Sequence, residues 1–195
     1  MNEYIEKMLT RHAIRRFQDK QLDDEILEQI LNAGLYAPSA GNGQSVKIVV
    51  CQDKETNLEF GKISRNKQFP NGEPKLGDRH VSDDQPSILD DPDIKDGFYG
   101  APTVLTLFTY GKGNHSIANV AFVAANIWHA ANFLDVGCCY VGRTAEALDT
   151  EFGRELLKKW NIDEDMVPVA NVLLGYIDGP RPAAKPRKEG RIIRV

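Results

Sequence analysis

Two clusters of cations stand near opposite ends of this chain, and both are of the kind that holds an anion. Near the start, RHAIRRF places Arg11 and Arg15 four residues apart. On one helical turn that spacing points both guanidiniums to the same side, where they can fork around a phosphate. At the end, RPAAKPRKEGRIIRV carries Arg181, Lys185, Arg187, Lys188, Arg191 and Arg194 against the single acid Glu189. If folding joins the two ends, several cations converge on one phosphate. Other chemistries find no support in spacing. There is no GxSxG, and His12, His80, His115 and His129 lack a local nucleophile partner. No GxGxxG opens a helix after a strand and no GxxxxGK[ST] is present, so the usual loops for a dinucleotide or triphosphate are missing. Cys51, Cys138 and Cys139 show no CxxC spacing. They read as buried small apolar side chains rather than a metal site, with adjacent Cys138 and Cys139 facing opposite sides of a strand.

The basic ends belong to an otherwise acidic chain of 195 residues with formal net charge -4. That balance argues against a dedicated nucleic-acid binder, which ordinarily carries a positive field. A small anion is the better match. Length and a 42% hydrophobic content predict one domain, 1–195, with a sizeable core. MNEYIEKML has no apolar stretch of secretory-signal length, and no apolar run approaches the ~20 residues of a membrane span. Three cysteines leave one unpaired under any disulfide scheme. This suits a reducing, cytoplasmic setting with no membrane partner.

The elements that must position these residues follow from periodicity. Tyr4, Ile5, Met8 and Leu9 recur at helical spacing, and Leu22, Ile26, Leu27, Ile30 and Leu31 form a second stripe opened by Asp23 and Asp24. YAPSAGNGQS, 36–45, is a loop. VKIVVC (46–51), TVLTLF (103–108), GCCYVG (137–142) and VPVANVLLGY (167–176) read as strands. A long helix over 117–134, dense in small residues and apolar around much of its circumference, is expected to lie centrally or in a subunit interface. Phe152, Leu156, Leu157 and Trp160 mark a further helix. Between 60 and 97 the pattern fails amid Pro70, Pro74, Pro86 and Pro92, and the stretch reads as an insertion or lid with some short helix inside. The element order predicts a three-layer arrangement, a sheet with helices on both faces.

RHAIRRF, APSAGNGQ, FYGAPTVL, the small-residue helix, GCCYVG and the final LLGY with KPR stand in one order across nearly the whole chain apart from the 60–97 stretch. Together they resemble the FMN-dependent nitroreductase family. The resemblance implies an α+β (α/β three-layer) nitroreductase-like fold, a central mostly antiparallel sheet flanked by helices, in a homodimer with FMN at the subunit interface. It assigns Arg11, His12, Ala13 and Arg15 to the flavin phosphate and the pyrimidine edge of the ring, and Lys185 and Arg187 to the same phosphate. It assigns Pro38, Ser39, Ala40 and Asn42 to ring contacts, commonly from the partner subunit. Tyr140, Val141, Gly142 and Arg143 would lie against the reactive edge, with the Gly142 N–H donating to flavin N5. The implied activity is two-electron reduction of a nitroaromatic, quinone or similar small flat aromatic acceptor with NADH or NADPH as donor, in which the cofactor carries the chemistry and no side-chain acid is required.

The chain departs from the family pattern at three places. Ala13 stands where many members have a serine, Ser45 and Val46 replace a common Pro-aromatic pair after Gln44, and the mid-chain Asn and Lys of larger members have only Asn66 and Lys67 as neighbours in sequence. These departures bear on the substrate. Another reaction on the same scaffold, such as reductive dehalogenation or flavin fragmentation, and FMN storage or sensing without turnover are the alternatives.

Overall fold

A computed structural model describes residues 1–71, 80–111, 113–183 and 185–195. Four strands, β1 (Val46–Cys51), β2 (Thr103–Tyr110), β3 (Val136–Val141) and β4 (Met166–Tyr176), make one antiparallel sheet in the order β1-β2-β4-β3. The central pair β2 and β4 is buried along most of its length, so both strands read as continuous apolar runs rather than alternating ones. Pro168 sits opposite Phe108 where the register slips, so its missing N–H falls at a bulge instead of interrupting the ladder.

The sheet separates two apolar layers. On one face α2 (Asp24–Leu35) and α4 (Asn114–Phe133) bring Ile30, Val120 and Ile127 onto Leu105, Leu107 and Val172. On the other, α3 (Lys54–Gln68), α5 (Thr144–Leu148) and α6 (Glu151–Lys159) bring Phe60, Leu148 and Leu156 onto Val104, Phe108 and Leu173. Each such fully buried side chain contributes about 1.5–3 kcal/mol. The pleat sends Cys138 to the first layer and Cys139 to the second. All three cysteines are free thiols. The short helix α1 (Glu3–Leu9) rests on the end of α4, where Lys7 Nζ donates to Phe133 O at 3.0 Å. The inward stripe of α4 is Val120, Ala124, Ile127 and Ala131, while Ala121 is exposed.

The expected irregular stretch over 60–97 is corrected at its start. Residues 54–68 are α3, begun by Asp53, whose carboxylate accepts from Thr56 N at 2.8 Å. The helical period is hidden because Asn57, Ser64 and Arg65 are buried beside Phe60. Two of those polar side chains bond backbone carbonyls inside: Asn57 Nδ2 donates to Cys51 O and Pro102 O, leaving its Oδ1 without a partner, and Arg65 Nε donates to Ile94 O at 2.7 Å. Residues 72–79 lie outside the described residues. The remainder, 80–97, runs through turns that bury Gln85, Ser87 and Ile88. No helix among the described residues is long and apolar enough to cross a membrane. No group of His, Cys, Asp or Glu among them could hold a metal ion.

Candidate functional site

The first basic motif lies along the sheet, and this overturns the expected helical turn. α1 ends at Leu9, and the chain then runs extended beside β3, bridged in parallel at Ala13 and Cys138, with Ile14 N donating to Cys138 O at 2.9 Å. The Ile14 side chain is only 1% exposed and anchors the segment in the core. Backbone N–H groups that a helix would turn back on its own carbonyls go instead to β3 and to a side chain from residue 85. Farther along, Phe17 bridges Ile177, Gln18 N donates to Tyr176 O and Asp178 N donates to Arg16 O. The two ends of the chain are thereby joined at the exit of β4.

Beside this junction is a cavity of about 570 Å³, a size suited to a small organic cofactor. Its floor is the end of β3, Cys139 to Val141, running on into Gly142 and Arg143. Arg15 and Tyr99 form one side, and Ser87, Ile88 and Leu89 another. Ser64 and Gln68, from the last turns of α3, close the rest. The Arg15 guanidinium is held at three points: it donates to Gln85 O at 3.1 Å, lies 5.9 Å from the centre of the Tyr99 ring, and stands beside the Cys139 thiol. Tyr99 has a left-handed backbone, φ 57, which is strained for an aromatic residue. Asp96 holds that turn by accepting from Phe98 N and Gly100 N, each at 2.7 Å. Burial pushes the Tyr99 hydroxyl up to about 12, so it stays protonated. Burial likewise raises the Cys139 thiol, against the pull of Arg15 and Arg11. Neither group is an ionised nucleophile at neutral pH.

The other predicted residues fall in different places. Arg11 packs on the opposite side of the strand, its guanidinium 5.0 Å from the centre of the Trp128 ring. His12 Nδ1 meets Thr10 O at 2.7 Å, leaving a buried Nε2 with no partner, as are Trp128 Nε1 and His129 Nδ1 near Arg11. Lys185 Nζ donates to Val81 O at 2.8 Å, at the cavity wall. Arg187 is exposed in the tail beyond it. Arg181 is committed elsewhere, to Asn132 Oδ1 at 2.8 Å and the Asp135 carboxylate at 3.5 Å. Pro38, Ser39, Ala40 and Asn42 do not line the cavity of this chain. Their loop forms a short 3-10 turn, 40–42, tied to α4 by Ala40 N donating to Asn119 Oδ1 at 3.0 Å. Tyr140, Val141, Gly142 and Arg143 do line it.

Sequence reasoning missed Gln85, Tyr99, Ser87 to Leu89, Ser64 and Gln68. Asn66 and Lys67 are exposed on α3, and their neighbours Ser64 and Gln68 face the cavity instead. FYGAP was a usable signal for Tyr99, since a bulky residue before a glycine in a turn marks an unusual backbone. Nothing in the acidic, proline-rich stretch around Gln85 distinguishes it.

Comparison with known proteins agrees with this architecture. An NADPH-flavin oxidoreductase of Vibrio harveyi is 26% identical over 196 residues, 99% of this chain and 73% of that protein. The solved structure of an FMN-bound nitroreductase from Bacteroides fragilis NCTC 9343 superposes with a TM-score of 0.80 at 23% identity, covering 100% of both chains. One from Desulfitobacterium hafniense DCB-2, also with bound FMN, gives a TM-score of 0.80 at 24% identity, over 100% of this chain and 99% of that one. At these identities the structural matches speak to the fold. The model of the Nitroreductase family matches residues 8–176, which takes in every strand of the sheet and the cavity they shape, and the chain belongs to that family.

Proposed function

We propose that the chain is an FMN-dependent oxidoreductase that draws electrons from NADH or NADPH and reduces a flat aromatic acceptor such as a nitroaromatic or a quinone, acting as a homodimer. The observation that carries the reading is the meeting of Arg15 with the glycine-ended edge of β3 at one cavity, beside the junction of the two basic chain ends. When bound, FMN supplies the two-electron transfer between nicotinamide and acceptor.

The residues present fit that group. A guanidinium at the wall favours negative charge developing on the pyrimidine edge of the ring. At the β3 end, Gly142 is exposed and has no side chain, so a ring can approach its backbone N–H closely. Lys185, donating to Val81 O, is the tail cation docked at the cavity wall, and an ammonium there suits a phosphate. The partnerless nitrogens of His12, Trp128 and His129 leave hydrogen-bonding capacity beside Arg11 for a polar ligand. Ile88, Leu89 and Tyr99 give the cavity apolar surface.

The dimer is supported by what the single chain leaves uncovered. Tyr36 is 88% exposed, and Leu35, Ile117 and Phe122 are exposed beside the Pro38–Asn42 loop and the start of α4. Residues of that loop would reach the cavity of a second copy. An anaerobic absorbance titration tests the whole reading: the purified protein should be yellow and should bleach on addition of NADH or NADPH. A protein that takes up no FMN overturns it. A yellow protein that neither nicotinamide bleaches favours storage or sensing, and a flavin-loaded monomer on gel filtration overturns the dimer.

A further inference from the structure

We propose that Gln85 is the positioning residue of this site, one buried amide that sets Arg15 at the cavity wall and pins the C-terminal tail to the same point. The inference rests on the reading that the cavity takes FMN. Gln85 is 0% exposed. Its Oε1 accepts from Arg15 N at 2.7 Å and from Arg16 N at 2.8 Å. Its Nε2 donates to Asp178 O at 3.1 Å and Pro180 O at 3.3 Å. Its backbone carbonyl accepts from the Arg15 guanidinium.

The amide's two acceptor positions and two donors are thus all used. A residue needed only to fill space would be apolar, because a buried amide is costly unless each of these bonds is made. Three segments distant in sequence meet at this one side chain: the first basic motif, the 81–89 wall and the start of the tail. Neither the motif nor the tail has a helix or a full strand of its own to hold it there, since beyond Phe17 and Ile177 the ladder stops. Gly179, at φ 81, makes the turn that lets the carbonyls on either side of it face the same amide. The wall segment is itself braced: the Asp90 carboxylate accepts from Val81 N, Ser87 N and the Ser87 hydroxyl, and Lys185 ties the tail to Val81. What the sequence presents as an insertion is therefore the keystone between the two basic ends.

The test is a double-mutant cycle on purified protein, reading the Kd for FMN and the midpoint potential of the bound FMN. Gln85→Leu should raise the Kd roughly tenfold, the scale of one lost buried polar contact. It should also lower the potential, in the same direction as Arg15→Ala. In an Arg15→Ala background Gln85→Leu should move the potential no further, because it acts through Arg15. Should the Leu variant not fold, Gln85→Asn, which keeps the amide but shortens it by one methylene, is measured in its place with the same expectation. A lowered melting temperature with unchanged Kd and potential overturns the proposal, as does an additive shift in the double variant. A wild-type chain that takes up no FMN overturns the cofactor reading and this one with it. A wild type that binds FMN beside unaffected Gln85 variants overturns this inference alone.

Discussion

Replacing Gly61 with alanine, a change on α3 outside the cavity lining, should loosen the cavity by a route that can be followed atom by atom. A Cβ on Gly61 would overlap Asp96 Oδ1 and come within 2.9 Å of its Cγ and 3.1 Å of Phe98 Cβ. The Asp96 carboxylate would have to move. It is the acceptor for Phe98 N and Gly100 N, the two bonds that hold Tyr99 in its left-handed turn against Arg15. Hydrogen bonds to a charged group contribute about 1.5–3 kcal/mol each. Against their loss stand the better helix propensity of alanine, about 1 kcal/mol, and the relief of a carboxyl whose pKa burial raises. A net loss of about 3 kcal/mol follows, or a fall in Tm of roughly 6–12 °C for a chain of this size. Thermal unfolding by circular dichroism reads the first effect and fluorescence titration with FMN the second, where the Kd should rise with Tyr99 released. A Gly61→Ala protein that melts with the wild type and binds FMN as well would refute the argument.

Three further outcomes follow from the same geometry. Arg15→Ala should lower the midpoint potential of bound FMN more than it weakens FMN binding, and potentiometry showing no change would remove Arg15 from its assigned role. Lys185→Ala should raise the FMN Kd roughly tenfold, the scale of one charge-assisted contact, and Arg187→Ala distinctly less, since Lys185 is docked at the wall and Arg187 is exposed; equal effects in a binding titration would contradict this. Asp90 contributes to the pH dependence, in the same direction as Asp53 and Asp163. Burial pushes its carboxyl up, but the hydrogen bonds from Val81, Ser87 and Ser82 outweigh that and leave it below its ordinary 3.8. A depressed carboxyl stabilises the fold above its unfolded value, and that stability is lost as pH falls below about 3.8. Stability measured from pH 5 downward should therefore decline less steeply in Asp90→Asn, which starts lower, than in the wild type.

The strands and most helices were legible because their signals are local. An apolar run bounded by turn residues is enough for TVLTLF or VPVANVLLGY, and an apolar stripe is enough for the second helix. α3 escaped because Asn57, Ser64 and Arg65 are buried in it, and a buried polar residue looks like a surface one until its partner is known. Arg11 and Arg15 were read at helical spacing, yet the donors of Ile14, Arg15 and Arg16 are taken by Cys138 and Gln85, 124 and about 70 residues away. No local pattern reports a competition decided at that separation.

The types and order of the site residues are a property of the chain: two basic ends, a glycine-ended strand and a Pro-Ser loop, arranged as one family arranges them. Their roles are a property of the packing. The sheet joins Phe17 to Ile177, Gln85 turns that junction into a fixed position for Arg15, and Arg181 is drawn away to Asp135 while Lys185 reaches the wall. Composition can show that cations are present, but which of them face a cavity depends on where each buried donor finds its acceptor.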